Sequence, residues 1–449
     1  MVNGEFWTGD ESEPRMPGQF SAEVGQPPVV SLDAALVAYP REEALPAPIR
    51  ELDIPQAALA VTAFLPITLY GELETGESVT VLNARGYGKQ RCPKYVGDNS
   101  IHGALVSGPQ QLYSAVRFRI GGPHWFQHLA DGEQSTVPDD GSTLRLEAAE
   151  DGNWLVYEAV EEMTLRRLQN RVVAGCQVLM QLALDQPLAV RDVEVPIAAK
   201  DSWLRVHSRR YCTPTGVNFE TLLPREEITI DRFANWIDLN DRLDRLAWPV
   251  VNPVDIAVEP QAQVTTSLIE GLHRRLPGYR KQKFPDASKK ALDRIRTAVK
   301  DSAEQQATSE QNLDPAAVRA AIRAAVGHFE AIDYAERAAE VVAEVQAALP
   351  EITETVTDLP ARLPKPRNEH AHQLEPNERL EDYEERVLRW MVIAHVTHWL
   401  LRALLLLRAG VAPEVLRSNF LDNERFTMHR ANIAQIVYEL GWYSGSAAR

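Results

Sequence analysis

Cysteine is scarce in this chain: three in 449 residues, Cys92, Cys176 and Cys212, with no CxxC spacing among them. An odd number leaves one thiol over in any disulfide scheme, which argues against a secreted disulfide scaffold and a cysteine-built zinc site, and fits a reducing cytoplasm. The start, MVNGEFWTGDESEPRMPG, has neither a basic nor an apolar stretch of the kind that opens an export signal, so a cytoplasmic chain is expected. GxSxG, HExxH and GxGxxG are all missing, which leaves triad hydrolase, zincin and Rossmann chemistry without a foothold. The nearest approach to a phosphate loop, GYGKQRC (Gly86 to Cys92), has Asn83 where the first glycine belongs and Gln90 in place of the hydroxyl ligand, and reads as a β-turn. Long apolar runs are equally rare. Only Trp390 to Leu407 could imitate a membrane span, and His395, His398 and Arg402 inside it would be costly in lipid, so it reads as the central helix of a soluble bundle.

What is present is ordinary globular material: 45% hydrophobic and 24% charged residues, in a length that favours two or three domains over one. The net charge of −16 is unevenly spread. Residues 1–255 hold 22 Lys and Arg against 36 Asp and Glu, whereas 256–449 are nearly balanced at 25 against 27. Within the second part, Arg274 to Lys300 carries ten basic residues and only Asp286 and Asp293 as acids. Such a run faces either solvent or phosphate, and Arg274, Arg275, Arg280, Lys281 and Lys283 are the candidates for holding an RNA backbone.

The texture changes along the chain. Short β-branched and aromatic runs such as SVTVLNAR, QLYSAVRFRIG, NWLVYEA, SWLRVHSRRY and EEITIDRF, punctuated by Gly, Pro, Asp and Asn, predict a β-rich, sandwich-like domain over 1–257. Arg167 to Leu184 predicts one helix inserted in it. From residue 258 to 449 the pattern is helical and Ala-rich, giving an α+β multidomain chain whose second domain is all-α. The spacing predicts helices over 263–276, 286–304, 314–349 with a break, 378–409, 412–418 and 429–441, with Asp314-Pro315 as an N-cap and first helical residue.

Four imidazoles, His370, His372, His395 and His398, raise the question of zinc. Two of them lie on an apolar helix, where packed histidines are commoner than ligands, so no metal or other cofactor is expected. The stronger signal is Arg367-Asn368-Glu369-His370-Ala371-His372, an RNxxxH string just before the longest helix. Metal-free cleavage of an RNA phosphodiester needs proton transfer near neutral pH and a cation for the charge on the phosphorane. Histidine and arginine supply these, while asparagine can orient the imidazole or the phosphate.

With these residues in view the chain resembles the ApeA-type proteins, an ApeA N-terminal domain joined to a C-terminal HEPN domain. The RNxxxH string before EERVLRWMVIAHVTHWLLRALLLL is similar to the motif that opens the last long HEPN helix. SLIEGLHRRL looks like the first HEPN helix, with Glu270, His273 and Arg274 as supporting residues alongside His370 at a variable motif position. GEFWTGDESEPRMPGQF resembles the domain's opening, a strand followed by a Pro-Gly turn and another strand, and ITIDRFANWIDL resembles its close. The resemblance implies an all-α HEPN helical bundle acting as an anti-phage abortive-infection endoribonuclease, metal-independent and homodimeric or higher, with Arg367, Asn368 and His372 catalytic. The N-terminal domain would sense or regulate, with a phage-encoded trigger as partner and no membrane. Prolines 364 and 366 depart from the family pattern. The other reading is a non-catalytic HEPN-type module for RNA binding or dimerisation, and the apolar helix from Val387 to Leu407 is the segment expected to bury a dimer interface.

Overall fold

The structure is a computed structural model that describes residues 1–9, 14–33, 66–87, 93–150, 152–197, 200–211, 221–253, 256–310, 312–364 and 383–442. It divides into two compact units, Met1–Asn252 with Arg408–Val415, and Pro253–Leu407 with Leu416–Arg449.

The first unit is built on one antiparallel sheet of thirteen strands. They are β1 Val2–Trp7, β2 Met16–Ser21, β3 Val29–Leu32, β4 Ile67–Leu73, β5 Ser78–Tyr87, β6 Lys94–Val96 and β7 Asn99–His102. After these come β8 Leu112–Ile120, β9 Gln134–Thr136, β10 Thr143–Glu147, β11 Trp154–Thr164, β12 Val190–Ile197 and β13 Lys200–Ser208. The hydrogen-bonded order β4-β1-β2-β3-β6-β5 closes on itself through β4–β5, so these six strands form a barrel. From β5 the sheet continues outward as β7-β13-β12-β8-β11-β10-β9. The sandwich-like layering expected from the sequence is therefore replaced by a barrel with additional strands. Alternating side chains fill its interior: Phe6, Phe20, Val30, Leu32, Leu69, Val79 and Val81 are buried together. Closure depends on residues without side chains. A Cβ on Gly71 would come within 2.6 Å of the Phe6 ring, and one on Gly18 within 2.5 Å of the Ser31 carbonyl oxygen. Gly18 and Pro17 consequently lie inside β2, opposite Gly4 and Glu5 of β1, and not in a turn as the resemblance implied.

The two longer helices of this unit are α1 Ala174–Leu184 and α2 Ile230–Leu243. A π-helical stretch, Gln169–Val173, leads into α1. The strand expected at EEITIDRF is instead the start of α2. Thr229 caps it by accepting from the Arg232 N–H, and Ile230, Phe233, Ala234 and Ile237 recur at helical spacing on its buried face. Arg171, in the π-helical stretch and 6% exposed, donates to Asp238 of α2 at 2.7 Å and to Asp140 and Tyr157, while Tyr157 donates to Asp140 at 2.9 Å. Trp236 donates from Nε1 to the Gly175 carbonyl at 2.9 Å.

The second unit is helical: α3 Val258–Arg275, α4 Lys289–Thr308, α5 Pro315–Val326, α6 Tyr334–Ala348, α7 Tyr383–Arg408, α8 Pro413–Asp422 and α9 Glu424–Glu439. The break expected within 314–349 falls between Val326 and Tyr334, where Asp333 and Glu336 form a capping box. Asp314 accepts from the Ala316 N–H with Pro315 at the first helical position. α7 is the single described helix apolar and long enough to cross a membrane, and 78% of its apolar window is buried within the protein. Its Trp399 packs edge-on against Phe420 and Phe426, at centroid distances of 5.8 and 5.2 Å. Much of the apolar surface from Val387 to Leu407 is thus already covered by this chain, and the length of the run gives no argument for a dimer interface.

Arg171→Met is expected to destabilise the β-rich unit by about 3–5 kcal/mol, because it leaves Asp140 and Asp238 without their buried counter-charge. Urea unfolding followed by tryptophan fluorescence measures this, and a loss below about 1 kcal/mol would mean that the network does not carry the packing of α2.

Candidate functional site

Arg367, Asn368, His370 and His372 lie outside the described residues, which stop at Pro364 and resume at Tyr383. The chain enters that segment from a short helical turn, Leu359–Arg362, begun by Asp358 in the left-handed region at φ 53°. The Arg362 guanidinium lies over the Trp442 ring at 4.0 Å and donates from Nε to the Thr357 carbonyl at 2.7 Å, fixing this turn. The segment re-emerges as α7 with Glu384 and Glu385 in its first turn.

The supporting residues named from the sequence are brought together on α3. Glu270 and Arg274, one turn apart, pair at 2.7 Å. His273, three residues on from Glu270, is fully buried. Its two ring nitrogens have distinct partners: Arg337 of α6 reaches Nδ1 at 3.1 Å and Glu340 reaches Nε2 at 2.9 Å. A guanidinium can only donate, so Nδ1 accepts, and the proton sits on Nε2 and is donated to Glu340. The Tyr279 ring stacks on the imidazole at 4.4 Å and 10°. Burial lowers the His273 pKa, against the pull of Glu340, with Arg337 and Lys281 adding to the fall. The result is a neutral, oriented imidazole that pins α3 to α6.

The basic run divides into two groups. Arg280 pairs with Glu340 at 2.5 Å, and Lys283 bridges Asp333 and Glu336 at 3.0 Å each. Lys281 donates to the carbonyls of His273, Arg274 and Leu276 at 3.2, 2.9 and 2.9 Å, satisfying the C-terminal end of α3. Arg275 is exposed on the last turn of α3. These residues largely hold their own loop together. Further along, Lys289, Lys290 and Arg294 line a shallow groove on α4 beside Thr297, and among the described residues none of the three has a carboxylate partner. Sequence reading did not single them out, because spacing cannot tell which cations of a run meet an acid in the fold.

The histidines of α7 form a different cluster. Arg402 donates from Nε to His398 Nε2 at 2.9 Å, and His395 and His429 lie near one another at a centroid distance of 6.4 Å beside Trp399. Burial lowers all three, aided at His398 by Arg402, His395 and His429; His398 falls to about 3 and His429 to about 4. Among the described residues no group of three His, Cys, Asp or Glu side chains is arranged to hold a metal ion. Cys176 is buried in α1, with its thiol pushed up by desolvation, while Cys92 and Cys212 lie outside the described residues.

Comparison with protein-family models, with curated proteins and with solved structures gives no match to this chain.

Because His273, His398 and His429 have folded pKa values below the ordinary imidazole value of about 6.5, the unfolded chain binds protons there that the folded chain refuses. Their contribution to stability is complete above about pH 6.5 and is lost as pH falls through that value towards 4. Melting temperature should therefore drop on acidification across this window, and less steeply in a His398→Gln, His429→Gln variant. An identical pH slope in the variant would show that these imidazoles are not held neutral.

Proposed function

We propose that the chain is a metal-independent endoribonuclease of HEPN type, acting in the cytoplasm as an abortive-infection effector against phage, with a β-rich unit that senses or regulates. The observation that carries this reading is the Arg367-Asn368-x-x-x-His372 string, which precedes the long helix α7 in the helical part of the chain. Histidine and arginine supply the proton transfer and charge stabilisation that transesterification needs, and asparagine can orient either group. The imidazole takes the 2′-hydroxyl proton or gives one to the leaving 5′-oxygen, and the guanidinium holds the non-bridging phosphate oxygens as charge builds on them. One motif offers one imidazole at its fixed end, whereas in-line cleavage is served best by a base and an acid on opposite sides of the phosphate. Two chains related by a twofold axis would supply both, so the active species in this proposal is a homodimer. The products are 2′,3′-cyclic phosphate and 5′-hydroxyl ends. No metal takes part.

His372→Ala and Arg367→Ala should each lower the cleavage rate of single-stranded RNA by about 10²–10⁴-fold, the usual worth of a general acid or base, while the dimer persists in light scattering. Chelation should leave the wild-type rate unchanged. A monomeric active species, or His372→Ala cutting as fast as wild type, overturns the assignment. Binding of RNA with no cleavage by any form would select the non-catalytic RNA-binding reading.

The groove cations of α4 lead to a separate expectation. Lys289→Glu, Lys290→Glu, Arg294→Glu should weaken RNA binding strongly at low salt and little at high salt, because phosphate contacts act through counterion release. The same titration on Arg274→Glu, Arg280→Glu should show a smaller salt-dependent loss. Equal losses would return the contact surface to the 274–283 segment.

A further inference from the structure

A concavity of about 550 Å³ opens in the β-rich unit, lined by the ends of β2, β4 and β7 and by β12 and β13. Its volume lies within the range of small-ligand pockets. One side is apolar, formed by Phe20, Leu73, Val190 and Val206, all buried. The other side is charged, with the carboxylates Glu23, Glu77 and Asp192 and the guanidinium groups Arg191 and Arg205. Each carboxylate in the lining already has a partner: Asp192 lies 3.3 Å from Arg119, Glu77 lies 3.4 Å from His102 Nδ1, and Glu23 accepts from the Ser21 hydroxyl at 3.5 Å. The two arginines of the lining, Arg191 and Arg205, have no carboxylate partner among the described residues. Arg205 is exposed, and the Arg191 Nε is buried without a hydrogen-bond acceptor.

The backbone is shaped to bring these arginines to the concavity. Arg191 pairs with Arg119 and Val193 with Phe118 across β12 and β8, so Asp192 is an extra residue, a bulge with φ at 38°. A non-glycine residue in the left-handed region is costly, and bulges of this kind re-aim neighbouring side chains, often beside functional sites. Arg205 sits opposite His102 in the β13–β7 register, and the His102 imidazole meets the Phe20 ring edge-on at 5.5 Å. The neighbouring His207 is held by the Gln26 carbonyl at 2.9 Å. Two arginines without a carboxylate partner among the described residues thus stand beside a buried apolar wall.

We propose that this concavity binds a small organic anion, whose phosphate or carboxylate group lies between Arg191 and Arg205 and whose apolar body rests on Phe20, Leu73 and Val206. The site lies wholly within the β-rich unit and is independent of the nuclease reading. Two natural sources share that chemistry, a nucleoside monophosphate and a medium-chain fatty acid.

The 449-residue chain is titrated with 8-anilinonaphthalene-1-sulfonate, an arylsulfonate that combines both features, and with the uncharged N-phenyl-1-naphthylamine. Arg191→Gln, Arg205→Gln should weaken the sulfonate by at least about tenfold, the worth of one lost charge-assisted contact, and leave the uncharged dye unaffected. Val24→Trp, at an exposed position of the rim, should obstruct both dyes without disturbing the fold. Displacement of the sulfonate by adenosine 5′-monophosphate identifies the nucleotide source, and displacement by octanoate the fatty-acid source. Equal sulfonate affinity in the wild type and the arginine variant, with both proteins melting at the same temperature, overturns the proposal. So does failure of both natural compounds to displace the dye at millimolar concentration.

Discussion

The guanidinium of Arg171 is the point on which the β-rich unit turns. Burial alone would lower its pKa; hydrogen bonds to Asp140 and Asp238 and the proximity of Tyr157 more than reverse this and raise it. The two aspartates it joins are pushed in opposite directions. Asp238 is raised by desolvation, whereas Asp140 is held low by the Ser142 N–H, Arg171 and Tyr157 in spite of its burial. One cation therefore fixes the loop before β10, the strand β11, the π-helical stretch and α2 in a single arrangement. A buried ion pair adds little net stability over an apolar pair of the same shape, but it tolerates few alternative geometries, and removal of one member exposes the full desolvation cost of the others. The π-helical turn is consistent with this constraint, since an extra residue in the helical ladder rotates Arg171 relative to α1.

The helical unit is organised by the opposite device, imidazoles kept neutral. His273 is oriented by a donor on one nitrogen and an acceptor on the other, so a change in its protonation state breaks the contact with Arg337. His398 accepts from Arg402 within α7, and that bond occupies the nitrogen a second proton would need. Beside His429, Trp399, Phe420 and Phe426 form an edge-to-face cluster. Two arginines, Arg389 and Arg402, are buried within α7, whose apolar window is 78% buried inside the protein. Charge on α3 and its following loop is absorbed in the same way, by pairs and by carbonyls, and this leaves the outer face of α4 as the stretch of the basic run with open cations.

Some features could be read from the sequence because they depend only on neighbours along the chain. The change from strand to helix texture, Asp314-Pro315 as a helix start, and the apolar helix with its interrupting arginine all rest on periodicity and local hydrogen bonding. α2 was misread because Ile228-Thr229-Ile230 is a β-branched run; what makes Thr229 a cap is the burial of Ile230, Phe233 and Ile237 beneath it, which is a tertiary fact. The RNxxxH string could be recognised for its chemistry from residue types alone, and its geometry is not among the described residues.

The sequence by itself determined the two-part architecture, the absence of common catalytic signatures and the residue types on which the proposed function rests, because composition and spacing act at short range. Only the tertiary structure decided between a sandwich and a barrel. Both present the same alternation of buried and exposed residues, and the β4–β5 pairing that closes the barrel depends on where glycine lets neighbouring side chains and strands approach. It also decided which cations remain without a partner. Lysine and arginine look alike in a charge count, but Lys281 ends on three carbonyls of its own helix, whereas Arg191 and Arg205 face a concavity assembled from segments as far apart as Phe20 and His207. Electrostatic pairing is set by distances through space, which the order of residues along the chain does not contain.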